Sequence, residues 1–325
     1  MSASCITDLQ KTLAMITIDP ISFELWHTDK AAFAQKLGRS FRETGFAIVC
    51  GHTIDDVVIA KADAAAEAFF ELDDPIKRQY VDAQDGYQRG YSPFMTENAK
   101  GRSQADLKEF WHRGRLLPAH SPYRSFMKGT PQIAELPQFD PATLALFEAL
   151  DSFGEVLLRA VALYLNLDEH WFDDKVDAGN SILRLLHYPP QTGDIPEGGV
   201  RAGAHEDINL ITLLLGAEEA GLQALHRSGI WLDVNAPKGS IVVNCGDMLQ
   251  RLTAGILPST THRVLNPAPE RARHSRYSKP FFLHPNGDFV ISALPGCIAQ
   301  GGTAEPDITA KDYLDERLRD IGLKA

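Results

Sequence analysis

From Ile182 to Ile291 the chain is a succession of short apolar runs cut by Gly, Pro, Asn and Asp, and this pattern constrains the fold more than any other feature. Runs such as Ile208–Leu215 and Phe281–Leu283 are rich in residues that suit a pleated, buried surface. Strands punctuated in this way argue for an antiparallel sandwich or barrel, and a jelly roll fits best. The Asn286-Gly287 pair between Phe281–Leu283 and Phe289–Ile291 predicts a hairpin. Upstream the period changes. Ala32, Phe33, Leu37 and Phe41 fall at helical spacing between Asp29 and Thr44, and Gly45 ends the pattern as a C-cap glycine would. Phe46–Cys50 then reads as a buried strand, 57–72 as a second helix and 141–165 as a long helix with an apolar stripe. His52 lies in a turn and reads as structural. The tail from Asp307 to Leu323 predicts a surface helix.

Within the strand-rich half, His205 and Asp207 stand two residues apart, so on an extended strand they share a face and both reach one ion. His262 opens a short strand-like run that Asn266-Pro267 stops, and it is the best third ligand. Two imidazoles and a carboxylate without a thiolate match the facial triad that holds non-heme Fe(II) and leaves coordination positions open. Arg276 and Ser278 also share a strand face, and a planar guanidinium with a neighbouring hydroxyl suits a carboxylate.

These residues carry a family resemblance. His205, Asp207 and His262, followed by Arg276-Tyr277-Ser278, resemble the 2-oxoglutarate and Fe(II)-dependent dioxygenases, in particular their isopenicillin N synthase-like branch. The resemblance implies Fe(II) on the triad, the far carboxylate of 2-oxoglutarate on Arg276 and Ser278, and Tyr188 of the Tyr188-Pro189 strand touching that cosubstrate. Gly221-Leu222-Gln223, Trp231 and Val243–Asp247 match scaffold positions, and Thr44-Gly45-Phe46, Phe69-Phe70 and Gly90-Tyr91 give a fainter match upstream. The fold it implies is mainly β with flanking helices around a double-stranded β-helix (jelly-roll) core. Residues 1–175 form a helix and strand region packing on that core, 176–300 the catalytic core and 301–325 a C-terminal helix, all in one integrated unit.

The sequence departs from the family in carrying Leu186 where some relatives have Asn, and a polar stretch from Pro267 to His274 that is a candidate lid. Branch members that use no 2-oxoglutarate share the Arg-x-Ser pair. The expected activity is therefore oxidation of a small molecule by dioxygen coupled to decarboxylation of 2-oxoglutarate, with a cosubstrate-free Fe(II) oxidase as the nearest rival. A non-catalytic metal-binding jelly roll and a zinc hydrolase are further readings, the latter weakened by the lack of a HExxH helix. Between Gln84 and Gly101 an aromatic and Gly-rich segment reads as a functional loop, with Arg89, Tyr91 and Phe94 as candidate substrate contacts or as plugs of the barrel mouth.

A net charge of −11 argues against nucleic acid or an anionic membrane as partner. Arg89, Arg102, Lys108, Arg113 and Arg115 cluster in sequence and read mostly as a solvated face. Cys5, Cys50, Cys245 and Cys297 are scattered, which suits a reducing compartment, and no apolar run approaches the ~20 residues of a membrane helix. A cytoplasmic protein of undetermined oligomeric state is expected.

Overall fold

In a computed structural model, residues 17–83, 86–96, 106–190, 202–216, 221–266 and 269–320 are described. Cys5, Arg102, Pro267, Ala268 and the end of the predicted tail helix lie outside them. Two sheets form the centre. The larger runs, in spatial order, β1 (Pro20–Ser22), β2 (Phe46–Cys50), β10 (Ser240–Cys245), β7 (Ile211–Leu215), β13 (Pro280–Leu283), β5 (Ile182–Tyr188), β4 (Glu109–Gly114) and β3 (Gly90–Ser92), and β12 (Arg276–Ser278) also pairs with β5. The smaller runs β6 (Ala202–His205), β11 (His262–Val264), β8 (Leu222–Leu225) and β9 (Trp231–Asp233). Strands of the larger sheet come from both halves of the chain, so the early segment completes the sheet that the later one begins. The fold is the expected jelly roll with flanking helices.

The two faces of the larger sheet have different composition because side chains alternate along each strand. Val49, Leu183, Leu185, Leu213, Val243 and Phe281 point to one face and join a core with three helices: α1 (Lys30–Thr44), α2 (Asp56–Phe70) and α3 (Phe139–Tyr164). Each large side chain buried there contributes about 1.5–3 kcal/mol. The other face carries Phe46, Asn244, Thr212, Phe282, Ile182, Arg184, His112, Leu186, Phe110, Tyr188, Arg276 and Ser278, cross-strand partners or alternate residues in the pairing register. That inward face confronts the smaller sheet, and it is where polar chemistry collects.

Helix ends follow local chemistry. Asp29 caps α1 by accepting from the Ala32 amide, and Gly45 closes it in the left-handed region at φ 73°. Within α1, Gly38 permits close approach of α3, since a Cβ there would stand 2.0 Å from the Tyr164 ring. Gly38→Val is accordingly expected to destabilise the protein by about 1–3 kcal/mol through overpacking. Urea denaturation measures this, and an unchanged midpoint would show that the two helices can part without cost.

Three expectations need correction. Asn286-Gly287 makes no hairpin: β13 pairs with β5 and β7, while β14 (Val290–Ile291) pairs with β15 (Ile308–Thr309). Asn286 instead anchors the 174–178 segment, its side chain bonding Asp174 O, Asp177 Oδ1 and the Ala178 amide. The basic cluster is no solvated face, because Arg89, Lys108 and Arg113 are buried and acids at Asp106, Asp140 and Asp151 pair with Lys108, Arg113 and Arg115. Finally, the tail helix α4 (Ala310–Asp320) is no free surface element: Leu314, Arg317 and Leu318 form part of the wall of an internal cavity.

Candidate active site

β6 ends on His205, and β11 begins on His262, its direct partner across the smaller sheet. The two rings lie 4.4 Å apart between centroids. Asp207 sits just past β6, in the link that crosses to β7 of the larger sheet, so the His-Asp pair straddles a strand end and does not lie within one strand. Its backbone carbonyl accepts from the Asp247 amide at 2.7 Å, which fixes the crossing. Donor atoms of His205, Asp207 and His262 all lie within 4.8 Å of one another.

The protonation of both imidazoles is set by carbonyl groups. His205 Nδ1 contacts Gly203 O at 2.7 Å and His262 Nδ1 contacts Thr260 O at 3.1 Å. A carbonyl can only accept, so each Nδ1 carries a proton and each Nε2 of a neutral ring presents a lone pair. These Nε2 atoms stand 3.9 Å from Asp207 Oδ1 and 3.9 Å from Oδ2, respectively. Burial and the neighbouring His262 pull the His205 pKa down to about 4, so the ring stays neutral in mildly acidic solution. Part of that ring is open, at 38% exposure of the side chain, but it faces the internal cavity.

Asp207 is held from behind. Thr212 Oγ1 donates to its Oδ2 at 2.5 Å and Asn244 Nδ2 donates to the same oxygen at 2.8 Å, while Asn209 Nδ2 donates to Thr212 Oγ1 at 3.0 Å. Burial would push this carboxyl up, but the facing imidazoles and these hydrogen bonds outweigh it and hold the pKa below the usual range. The donor set of two imidazoles and one oriented carboxylate fits a divalent first-row metal with open positions. Removing a supporting hydrogen bond typically costs 10–100-fold in metal affinity. Asn244→Ala is expected to fall in that range, read by competition with a chelator, and an unchanged affinity would make Asn244 a bystander.

The triad opens on a cavity of about 380 Å³. Phe110, His112, Ile182, Arg184 and Phe282 wall it from the larger sheet, His284 just past β13 adds to that wall, and Leu314, Arg317 and Leu318 of α4 line it as well. Among these, burial lowers the His284 pKa to about 4, with the Arg89 charge adding to the effect. A histidine neutral in the folded state and ordinary when unfolded leaves the unfolded chain binding more protons below pH 6.5. Stability of the metal-free protein is thus full above pH 6.5 and declines as pH falls towards 4, by up to about 3 kcal/mol from this group. His284→Asn should flatten that decline, measured by denaturation at pH 7 and pH 4.5, and parallel curves for the two proteins would refute it.

Arg276 and Ser278 are buried on the inward sheet face, paired in register with Tyr188 and Leu186, and the Arg276 guanidinium lies 5.4 Å from the Tyr188 ring centroid. Leu186, in place of a polar residue, packs with Phe110 and Tyr188. The three expected substrate contacts stand elsewhere. Arg89 donates to Gln88 O, Lys128 O and Asn180 Oδ1. Tyr91 points to the helix-backed face and donates to Glu109, which also bonds Lys77 and His187. Phe94 is 43% exposed and does not line the cavity. The neighbouring Tyr87 and Gln88 do.

Residues 179–285 match the family described as the 2OG-Fe(II) oxygenase superfamily, and residues 18–135 match the N-terminal region described as non-haem dioxygenase in morphine synthesis. A 2-oxoglutarate-Fe(II) type oxidoreductase of Emericella nidulans, hxnY, is 32% identical over 88% of this chain and 83% of its own length. The chain belongs to the 2OG-Fe(II) oxygenase superfamily. Solved structures agree with this. A 2OG-Fe(II) oxygenase family protein from Caulobacter crescentus shares 48% identity over 94% of this chain and 99% of its own, with a TM-score of 0.87. Neurospora crassa T7H in complex with alpha-KG shares 28% identity over 93% and 95% of the two chains, with a TM-score of 0.81. As a 2OG-Fe(II) oxygenase, the protein is an oxidoreductase, and its cofactors are Fe(II) and 2-oxoglutarate.

Sequence reasoning missed Thr212, Asn244, Arg184, His112 and Phe282. Thr212, Asn244, Arg184 and Phe282 sit inside apolar runs and His112 in the mixed strand Glu109–Gly114, and in each case period-2 alternation is the available signal for an inward-facing position.

Proposed function

We propose that this oxygenase holds Fe(II) through His205 Nε2, His262 Nε2 and the carboxylate of Asp207, with the far carboxylate of 2-oxoglutarate on Arg276 and Ser278 beside Tyr188. The observation that carries this reading is the pair of imidazoles whose Nδ1 protons are spent on Gly203 O and Thr260 O, which aims two Nε2 lone pairs at the Asp207 carboxylate. The bound iron, with 2-oxoglutarate and dioxygen, supplies oxidative decarboxylation coupled to oxidation of a C–H bond. The chain's own residues supply position. Thr212 and Asn244 keep Asp207 ionised and oriented; Arg276 offers a planar fork to a carboxylate; Tyr188 packs against that fork. The cavity walls orient the substrate against the triad and restrict water.

A cavity of this size supports a small molecule as substrate. Neurospora crassa T7H, a relative by structure, has been crystallised with thymine and with 5-formyluracil. The segments 1–175, 176–300 and 301–325 act as one unit in this reading, since each contributes to the walls or the sheet. Among the described residues no helix is long and apolar enough to cross a membrane, and Cys50, Cys245 and Cys297 are free, which supports cytoplasmic residence.

Anaerobic titration of the iron-loaded protein with 2-oxoglutarate tests the proposal. A weak visible metal-to-ligand charge-transfer band that saturates is the expected result. Iron that stays bound with no band at saturating 2-oxoglutarate would overturn it in favour of an oxidase that draws its electrons from substrate alone.

A further inference from the structure

The two residues assigned to the far carboxylate of 2-oxoglutarate stand on a weak element. Strand β12 is three residues long, and among the described residues it pairs with β5 alone. A short strand bonded along one edge opens locally at little cost. A planar grip on a carboxylate nevertheless requires the guanidinium to hold its plane and its place. Whatever steadies Arg276 and Ser278 must act from the other face of the strand.

Alternation along the chain sends Ser275, Tyr277 and Lys279 to that other face, the helix-backed one. Each is held there. Ser275 Oγ lies 2.9 Å from His187 Nε2, the Tyr277 ring stacks on the His187 ring at 4.8 Å between centroids and 13° between planes, and Lys279 pairs with Asp63 of α2. His187 is the register partner of Tyr277, so it grips two alternate residues from directly opposite. Phe70, the last residue of α2, packs on both rings, 5.1 Å from His187 and 6.2 Å from Tyr277.

His187 is fixed in turn. Its Nδ1 meets Glu109 Oε1 at 2.7 Å, Lys77 Nζ meets Glu109 Oε2 at 2.9 Å, and Tyr91 donates to the same carboxylate. Burial would push the Glu109 carboxyl up, but the bonds from His187, Tyr91 and Lys77 outweigh it and hold it below the usual range. An ionised carboxylate only accepts, so His187 Nδ1 carries a proton, and a flip of the ring would break both of its bonds. Lys77, Glu109, Tyr91 and His187 are all buried, where a fully connected polar network is stiffest.

We propose that His187, oriented by Glu109, is a positioning residue for 2-oxoglutarate: by holding Ser275 and Tyr277 it fixes the direction of Arg276 and Ser278 on the opposite face of β12. This rests on the assignment of the cosubstrate carboxylate to those two residues. The network lies on the sheet face away from the metal triad, so its effect passes through β12 and spares the iron ligands.

Two measurements test this. The first is the anaerobic charge-transfer titration of iron-loaded protein with 2-oxoglutarate. His187→Phe keeps the ring contacts and removes both hydrogen bonds. It is expected to raise the half-saturating 2-oxoglutarate concentration roughly 3- to 10-fold, with iron affinity near wild type. His187→Gln places an amide nitrogen near the former Nε2 and should restore most of the loss, whereas His187→Asn reaches only as far as Nδ1 and should not. Combined with Arg276→Ala, His187→Phe should add less than about a twofold loss, because no clamp is left to aim. The second measurement is amide hydrogen exchange of the metal-free protein, where His187→Phe should speed exchange in β12 by a larger factor than in β7 or β10.

If His187→Phe does not fold, Ser275→Ala, at the exposed end of the network, takes its place with a loss of about threefold expected. The proposal is overturned if the variant binds 2-oxoglutarate as wild type does, or if its loss multiplies fully with that of Arg276→Ala. Should Arg276→Ala itself bind 2-oxoglutarate as wild type does, the clamp reading falls instead. Hydrogen exchange then judges His187 separately, and equal exchange of β12 with and without its hydrogen bonds overturns its hold on the strand.

Discussion

Asp207→Ala protein is expected to fold, to retain no stoichiometric iron after desalting, and to lose on the order of 10³-fold in turnover. The size of the effect follows from the ligand set. Asp207 is the one anion among three donors, and its carboxylate brings the two sheets to a common point. Alanine removes the charge, and it also leaves Thr212 Oγ1 and Asn244 Nδ2 without their shared acceptor. Losing that acceptor costs about 1–3 kcal/mol in stability. Two readouts separate these effects: metal analysis reports the ligand, and urea denaturation of the metal-free protein reports the hydrogen bonds. Full iron occupancy with turnover within tenfold of wild type would remove Asp207 from the metal site.

Replacing Arg276 gives the second large effect, confined to one ligand. Truncating one partner of a buried charge pair costs about 2–5 kcal/mol, or roughly 30- to several-thousand-fold in affinity. Arg276→Ala is expected to move the 2-oxoglutarate concentration needed for the charge-transfer band upward by that factor while iron affinity stays near wild type. Ser278→Ala should move it by less than tenfold, as the loss of one neutral donor does. A band that appears at the same 2-oxoglutarate concentration in Arg276→Ala would show that the cosubstrate is held elsewhere.

Much of this site is legible in the sequence, and the limits have physical reasons. His205, Asp207 and His262 stand out because they are polar residues at strand ends flanked by turns, and Arg276 and Ser278 because their spacing puts them on one face. The left-handed Gly45 that ends the first long helix is local chemistry and equally readable. By contrast, Asn244 lies in Ile241–Cys245 and Arg184 in Ile182–Tyr188, where each reads as an interruption of an apolar strand. Their role depends on which residue stands opposite, Thr212 in one case and His112 in the other, and pairing between distant strands is not encoded in local spacing. The same limit misdirected Tyr91. Proximity in sequence to a Gly-rich loop suggested the cavity, but the parity of β3 turns its ring to the opposite face, against Trp111. Asn286-Gly287 shows local signal overruled by distant contact, since three hydrogen bonds to the 174–178 segment replace the tight turn.

One feature of the triad reaches beyond chemistry. His205 and His262 belong to the smaller sheet, and Asp207 lies on the chain segment that leaves it for the larger one. A bound ion is therefore a cross-link, tying position 207 to position 262 and closing the intervening loop, in a chain whose described cysteines are all free. Closure of a loop of this length reduces the conformational freedom of the unfolded chain, the same service that a disulfide performs in secreted proteins. The helix-backed core contains no member of the triad, whereas the smaller sheet carries two of the three, so the ion is expected to matter most to the smaller sheet. Loss of the ion is expected to loosen the smaller sheet before the helix-backed core, and limited proteolysis with and without metal would show it as cleavage first between positions 207 and 262.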